Sequence, residues 1–162
     1  MIKTLYTIGG YGFTENGFFE SLLSSGVDVF CDIRQRRGMR GRAFAFLNSA
    51  RLQDRLRSIG IQYLHMKEFA PTDSIRARQK AADARLGIQK RSREVLGCEF
   101  SASYRSEILM VHDQQEFLDA LPVATLKPCL FCVERQHEAC HRSLMSQWLG
   151  EAISVPVIHL HS

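Results

Sequence analysis

Cys129-Leu130-Phe131-Cys132-Val133-Glu134, then Arg135-Gln136-His137-Glu138-Ala139, then Cys140-His141-Arg142-Ser143-Leu144-Met145-Ser146-Gln147-Trp148-Leu149 is the stretch that decides the fold. Its apolar opening predicts a strand over 130–133, and its end predicts a helix over 139–149 stopped by Gly150. Val155 to Leu160 follows as another short β-branched run. Strand, helix and strand in that order form a crossover unit of a parallel sheet. The loop and helix start between them crowd Cys132, Glu134, His137, Cys140, His141 and Arg142 into one segment. Packing alone does not require that mixture.

The pattern repeats upstream. Lys3 to Ile8 reads as a first strand ending in Gly9-Gly10-Tyr11-Gly12, and Thr14 as the cap of a helix carrying Phe18, Phe19, Leu22 and Leu23 up to Gly26. Val27 to Ile33 is an apolar run suited to a sheet covered on both faces. Asn48 is expected to cap a helix bearing Leu52, Leu56 and Ile59, closed by Gly60, and Ile61 to His65 forms a third strand. Residues 75–95 read as a polar helix or helix pair containing Lys90 and Arg91, residues 101–111 as a helix, and Asp113 as the cap of a helix over 114–121. Alternating strands and helices predict a three-layer α/β sandwich, Rossmann-like, with a mainly parallel sheet of about five strands in one domain over 1–162.

Composition narrows the setting. With 45% hydrophobic and 23% charged residues the chain has ordinary globular usage. No run approaches the ~20 apolar residues that span a bilayer, and no signal-peptide pattern opens the sequence. Five cysteines at irregular spacing do not make a disulfide framework, so a cytoplasmic, reducing setting is expected. Residues 1–93 hold 17 Lys and Arg against 8 Asp and Glu, whereas residues 94–162 hold 4 against 9. Such asymmetry predicts a basic face that would attract phosphate-bearing partners, nucleic acid or a nucleotide; a merely solvated surface is the bland alternative.

Parallel α/β sheets bind ligands outside the carboxyl ends of their strands. Gly9, Asp32, Arg34, His65, Cys132 and Glu134 all fall at predicted strand ends, and Cys140-His141-Arg142 opens a helix at the same edge. One pocket is therefore expected. Cys140, near a helix start and beside His141 and Arg142, is the candidate nucleophile, with Cys132 as a second thiol. Glu134 or Asp32 is the candidate general base, unless each merely pairs with a neighbouring arginine. Arg34, Arg40 and Arg142, with the Gly9 turn, are the candidate phosphate holders; five arginines lie within residues 34–42. Phe44, Phe46 and Tyr63 are either base-stacking or core aromatics, and His159 and His161 read as structural or surface histidines.

Spacing removes several chemistries. A cysteine phosphatase needs an arginine six residues after its cysteine, but Glu138 and Ser146 stand there. No Walker loop is present, and the dinucleotide fingerprint is incomplete, so no cofactor is assigned. A zinc site from Cys129, Cys132, Cys140 and His141 meets two objections. Cys129 should face the opposite side of the sheet from Cys132, and adjacent Cys140 and His141 should diverge on a helix. No metal ligand is assigned on that reading, and a structural metal site is kept as an alternative, beside a binding module without chemistry.

These residues also resemble a known family, the bacterial and archaeal domain of unknown function 488. The likeness lies in Thr7-Ile8-Gly9, Asp32-Ile33-Arg34 with Arg40, Gly60 to His65, Ala70-Pro71-Thr72 with Arg76, and above all Cys132-Val133-Glu134 with Cys140-His141-Arg142. It departs at Gly10-Tyr11, where the family often has His-Ser, and at Arg37 and Met39, where a Pro and a Ser are usual. The resemblance implies a compact α/β domain with a shared site, and names no activity.

Overall fold

The computed structural model describes residues 1–89 and 92–162. Five strands, β1 (Leu5–Gly9), β2 (Val29–Asp32), β3 (Gln62–His65), β4 (Pro128–Cys132) and β5 (Val157–Leu160), form one sheet in the order β3-β2-β4-β1-β5. Every pairing is parallel. β1, β2 and β4 are buried along their whole length, which is why their sequences run apolar without alternation. Lys90 and Arg91 lie outside the described residues.

Among the described residues six α-helices cover the sheet: α1 (Glu15–Ser25), α2 (Ser49–Ser58), α3 (Asp73–Leu86), α4 (Cys98–Glu107), α5 (Gln114–Ala120) and α6 (His141–Ile153). The Phe18 ring of α1 meets Phe30 of β2 and Phe131 of β4 edge-on at 6.1 and 5.7 Å. Arg51 of α2 reaches Glu15 of α1, so these two helices share that face. On the other face α6 packs against β1, β4, α4 and α5. Aromatic rings therefore fill the first interface, and Tyr104, Met145 and Leu149 are buried in the second layer.

Local chemistry accounts for most boundaries. Thr14 and Thr72 accept backbone N–H groups at the starts of α1 and α3, and Asp113 does so for α5. Gly26, at φ 68°, ends α1 in the left-handed conformation that glycine adopts at least cost. Three expectations are corrected. Asn48 does stand at the α2 N-cap, but its Oδ1 instead accepts the Met39 N–H at 2.6 Å, pinning the preceding loop. The helix expected over 101–111 is α4, which starts at Cys98 and stops at Glu107 before a single 3₁₀ turn. Finally, α6 does not stop at Gly150. A Cβ there would lie 2.8 Å from Val157 Cγ2, so the glycine lets the helix lie close on β5, and Ser154 at φ 51° ends it.

At the β5 edge, Thr7 Oγ1 meets His159 Nδ1 at 2.7 Å, and the His159 ring stacks on His137 with centroids 3.6 Å apart. Partial burial first, then the neighbouring His137, Arg142 and His161, push the His159 pKa down to about 4; Glu138 opposes them. An unfolded chain takes up this proton near the ordinary histidine value of about 6.5, before the folded one does. The His159 contribution is therefore complete above pH ~6.5 and is lost as pH falls through ~4. Chemical denaturation across that range is expected to show declining stability in the wild type and a flatter profile in His159→Gln.

Candidate functional site

The carboxyl ends of the strands bring the candidate residues to one edge of the sheet, with Gly9 opposite Cys132 and Asp32 opposite both Phe131 and His65. Strand parity then separates them. Successive side chains point to opposite faces. Phe30 and Asp32 point toward α1, as does Phe131, whereas Cys132 points toward α6. The expected single pocket is thus two buried clusters, one under each helical layer.

The first cluster is built on Asp32 and Arg34. The Arg34 Nε donates to Asp32 Oδ1 at 2.9 Å and its Nη2 to Oδ2 at 2.8 Å, a two-pronged pair with both residues almost fully buried. Nη1 donates to the Leu47 carbonyl at 3.1 Å, and the guanidinium lies 4.7 Å from the Phe131 ring centre. Tyr63 donates its hydroxyl to Asp32 Oδ2 at 2.7 Å; burial and that carboxylate raise its pKa to about 12. His65 Nε2 contacts the Arg34 carbonyl at 2.9 Å. Arg34 and Asp32 are therefore committed to each other and to the turn before α2. Phe46 lies in the core against Phe18, and Phe44 packs edge-on to Tyr11.

The second cluster joins β4 to α6. Cys132, Cys140 and His141 are buried, with one sulfur or nitrogen atom from each lying within 4.8 Å of the others. The expected divergence of Cys140 and His141 does not occur. Cys140 is the residue before the helix, with extended φ −139° and ψ 143°, so its side chain is not set off by a helical turn from that of His141. Cys129, on the opposite strand face, stands apart as expected. His141 Nε2 lies 3.1 Å from the Ile33 carbonyl, which only accepts, so Nε2 carries a proton. His141 Nδ1 then faces Cys140 Sγ at 3.8 Å.

Electrostatics distinguishes the two thiols. Burial pushes Cys140 up, but the hydrogen bond from Cys132 and the neighbouring Arg142 and His141 outweigh it and hold Cys140 well below the usual thiol range. That same hydrogen bond, then burial, holds Cys132 well above it. Of the two thiols, Cys140 is therefore the one whose ionised form its neighbours favour.

Arg142 and Glu134 border this cluster without pairing through the Glu134 carboxylate. Arg142 Nη1 donates to the Glu134 carbonyl at 2.6 Å and Nη2 to the Arg135 carbonyl at 3.0 Å. Gly9 lies against the same carbonyl. An added Cβ there would overlap the Glu134 oxygen and stand 3.1 Å from Arg142 Nη2, so the glycine permits a close approach of β1 to the loop. Glu134 pairs instead with Arg93 at 3.5 Å, and Arg93 also reaches Asp83 at 3.4 Å. Arg93 belongs to the polar segment over 75–95 and is not among the residues expected at the site. Nothing in its local sequence separates it from the other cations near it.

Arg40 lies elsewhere. It is exposed on the loop after β2, as are Arg36 and Arg42. Arg37 is half-buried, and its Nη1 contacts the Tyr63 hydroxyl at 3.4 Å.

Fold and site together define a parallel α/β protein with thiol, imidazole and guanidinium groups gathered at the carboxyl edge of its sheet. Residues 16–149 match the family model described as "Domain of unknown function DUF488", and the chain belongs to that family. No curated protein and no solved structure matches it. Among the described residues no helix is long and apolar enough to cross a membrane.

Breaking a buried ion pair from one side leaves an uncompensated charge and costs about 3–5 kcal/mol, whereas replacing both partners is often close to neutral. Asp32→Asn is accordingly expected to destabilise the protein by about that amount, and Asp32→Asn with Arg34→Met by clearly less. Urea unfolding of the two variants reads the difference. Equal losses would show that the pair itself holds the β2 exit.

Proposed function

We propose that this protein acts on a phosphate-bearing ligand, nucleic acid or a nucleotide, held on the arginine loop at the carboxyl edge of its sheet. The observation that carries this reading is the contrast among its arginines. Arg34 and Arg142 are buried and committed to internal acceptors. Arg40 and Arg42 are exposed on the same edge and pair with no carboxylate among the described residues. Arg36 reaches only an exposed Asp73 at 3.5 Å, a contact that solvent screens and a phosphate would displace at little cost. Guanidinium groups on a glycine-containing loop fork readily onto phosphate oxygens.

A second reading, catalysis through Cys140, has one observation in its favour: Cys132, Arg142 and His141 together lower its thiol pKa. Burial of Cys140 to 2% exposure works against it, because a polymer at the surface does not meet this sulfur directly. On this reading the substrate group would enter the cluster and meet the Cys140 sulfur, whose proton would pass to His141 Nδ1, 3.8 Å away.

Two measurements follow. Fluorescence anisotropy with labelled single-stranded and duplex oligonucleotides, and competition by a free nucleotide, should show affinity falling steeply between about 50 and 200 mM salt. Arg40→Glu with Arg42→Glu should flatten the log–log salt slope by about 2 for duplex DNA; an unchanged slope removes this loop from the interface. For the thiol reading, limited alkylation of reduced, chelator-treated protein should label Cys140 ahead of the exposed Cys98. Labelling confined to Cys98 counts against catalysis by Cys140.

A further inference from the structure

We infer that Cys132, Cys140 and His141 form a binding site for a thiophilic divalent cation, zinc(II) foremost. This inference is independent of the arginine loop and of the ligand held there. Three donor atoms of the kinds zinc prefers, two sulfurs and one imidazole nitrogen, already lie within 4.8 Å of one another. Zn–S bonds of about 2.3 Å and Zn–N bonds of about 2.0–2.1 Å can be reached from such a set when the side chains draw in slightly around one ion.

The surroundings fit a ligand set as well as the donors do. A metal-binding imidazole normally donates its second ring N–H to a carbonyl or carboxylate, which fixes its tautomer and aim. His141 does this: Nε2 faces the Ile33 carbonyl at 3.1 Å, and the neutral ring directs the Nδ1 lone pair toward the two sulfurs. Tyr104 packs against the ring at a centroid distance of 5.3 Å and limits its rotation. The donors also come from parts of the fold that are fixed independently. Cys132 ends β4, a strand paired on both sides, while Cys140 and His141 sit at the start of α6.

The charge count is favourable too. Two thiolates balance a divalent ion, and the protons released from the thiols leave to solvent. Two sulfurs and one nitrogen select zinc or copper(I) over magnesium or calcium, which seek oxygen. Three protein donors leave one tetrahedral position for water or a small ligand, the arrangement of sites that keep an open coordination position.

The test uses the full-length protein without an affinity tag. Elemental analysis after purification in chelator-free buffer is expected to find about one zinc per chain. Stripped wild-type protein should recover it from a chromogenic zinc chelator, and its melting temperature should rise with added zinc. Cobalt(II) in place of zinc should give the intense visible absorption of a tetrahedral thiolate site. Loss of an outer-shell partner alone weakens metal affinity about 10–100-fold, so Cys140→Ser should weaken it by at least about 100-fold. Cys98→Ser, which alters an exposed thiol outside the cluster, should leave zinc uptake unchanged. Because Cys140→Ser removes a buried group, the titration of stripped wild type decides the question if that variant does not fold. Stripped, reduced wild type that takes up neither zinc nor cobalt overturns the inference, as does zinc lost in Cys98→Ser and retained in Cys140→Ser. Copper(I) bound in preference to zinc keeps the site but overturns the assignment of its metal.

Discussion

A single buried guanidinium orders the carboxyl edge of this sheet. Arg142 sits at 1% exposure and donates to the carbonyls of Glu134 and Arg135, so the chain leaving β4 is tied to the helix it is about to enter. β1 can approach the tied loop only because residue 9 has no side chain. Arg142 makes no hydrogen bond to a carboxylate among the described residues. A buried cation is costly, and one group that offsets it is Cys140, whose thiol it pulls toward the charged form. Loop geometry and thiol chemistry therefore both draw on the same side chain.

Much of this was legible in the sequence because it rests on local rules. Apolar runs at Val27–Ile33 and Leu130–Val133 announced buried parallel strands, and Thr14, Asp113 and Gly26 marked helix ends through their own side-chain or backbone chemistry. That Gly9, Asp32, Cys132 and Cys140 would share one edge followed from parallel topology alone. Their partition between two faces was also implicit in strand parity, since Asp32 pairs with Phe131 and not with Cys132. Reading it required the register, which no single strand contains.

The rest depends on long-range geometry. Arg93 joins Glu134 to Asp83 across a loop, and nothing in its neighbourhood distinguishes it from the cations of α3. Gly150 has the local look of a helix terminator, yet Val157 in the next strand decides its role. Cys140 and His141 were expected to diverge because both were placed inside the helix. A helix that begins at His141, two residues later than expected, reverses that conclusion. The roles of Arg34 and Arg142 turn on how deeply each is buried, a property their spacing does not reveal.

The separation of the two clusters by the thickness of the sheet has an evolutionary consequence. The exposed loop after β2 contributes no donor to the cysteine–histidine cluster; only the Ile33 carbonyl, a main-chain group that any residue supplies, reaches it from that segment. Substitutions among residues 35–42 can therefore accumulate without disturbing the thiols. Descendants of this fold are free to diversify the exposed rim while inheriting the same interior, so two members could differ in surface and still share their buried cluster.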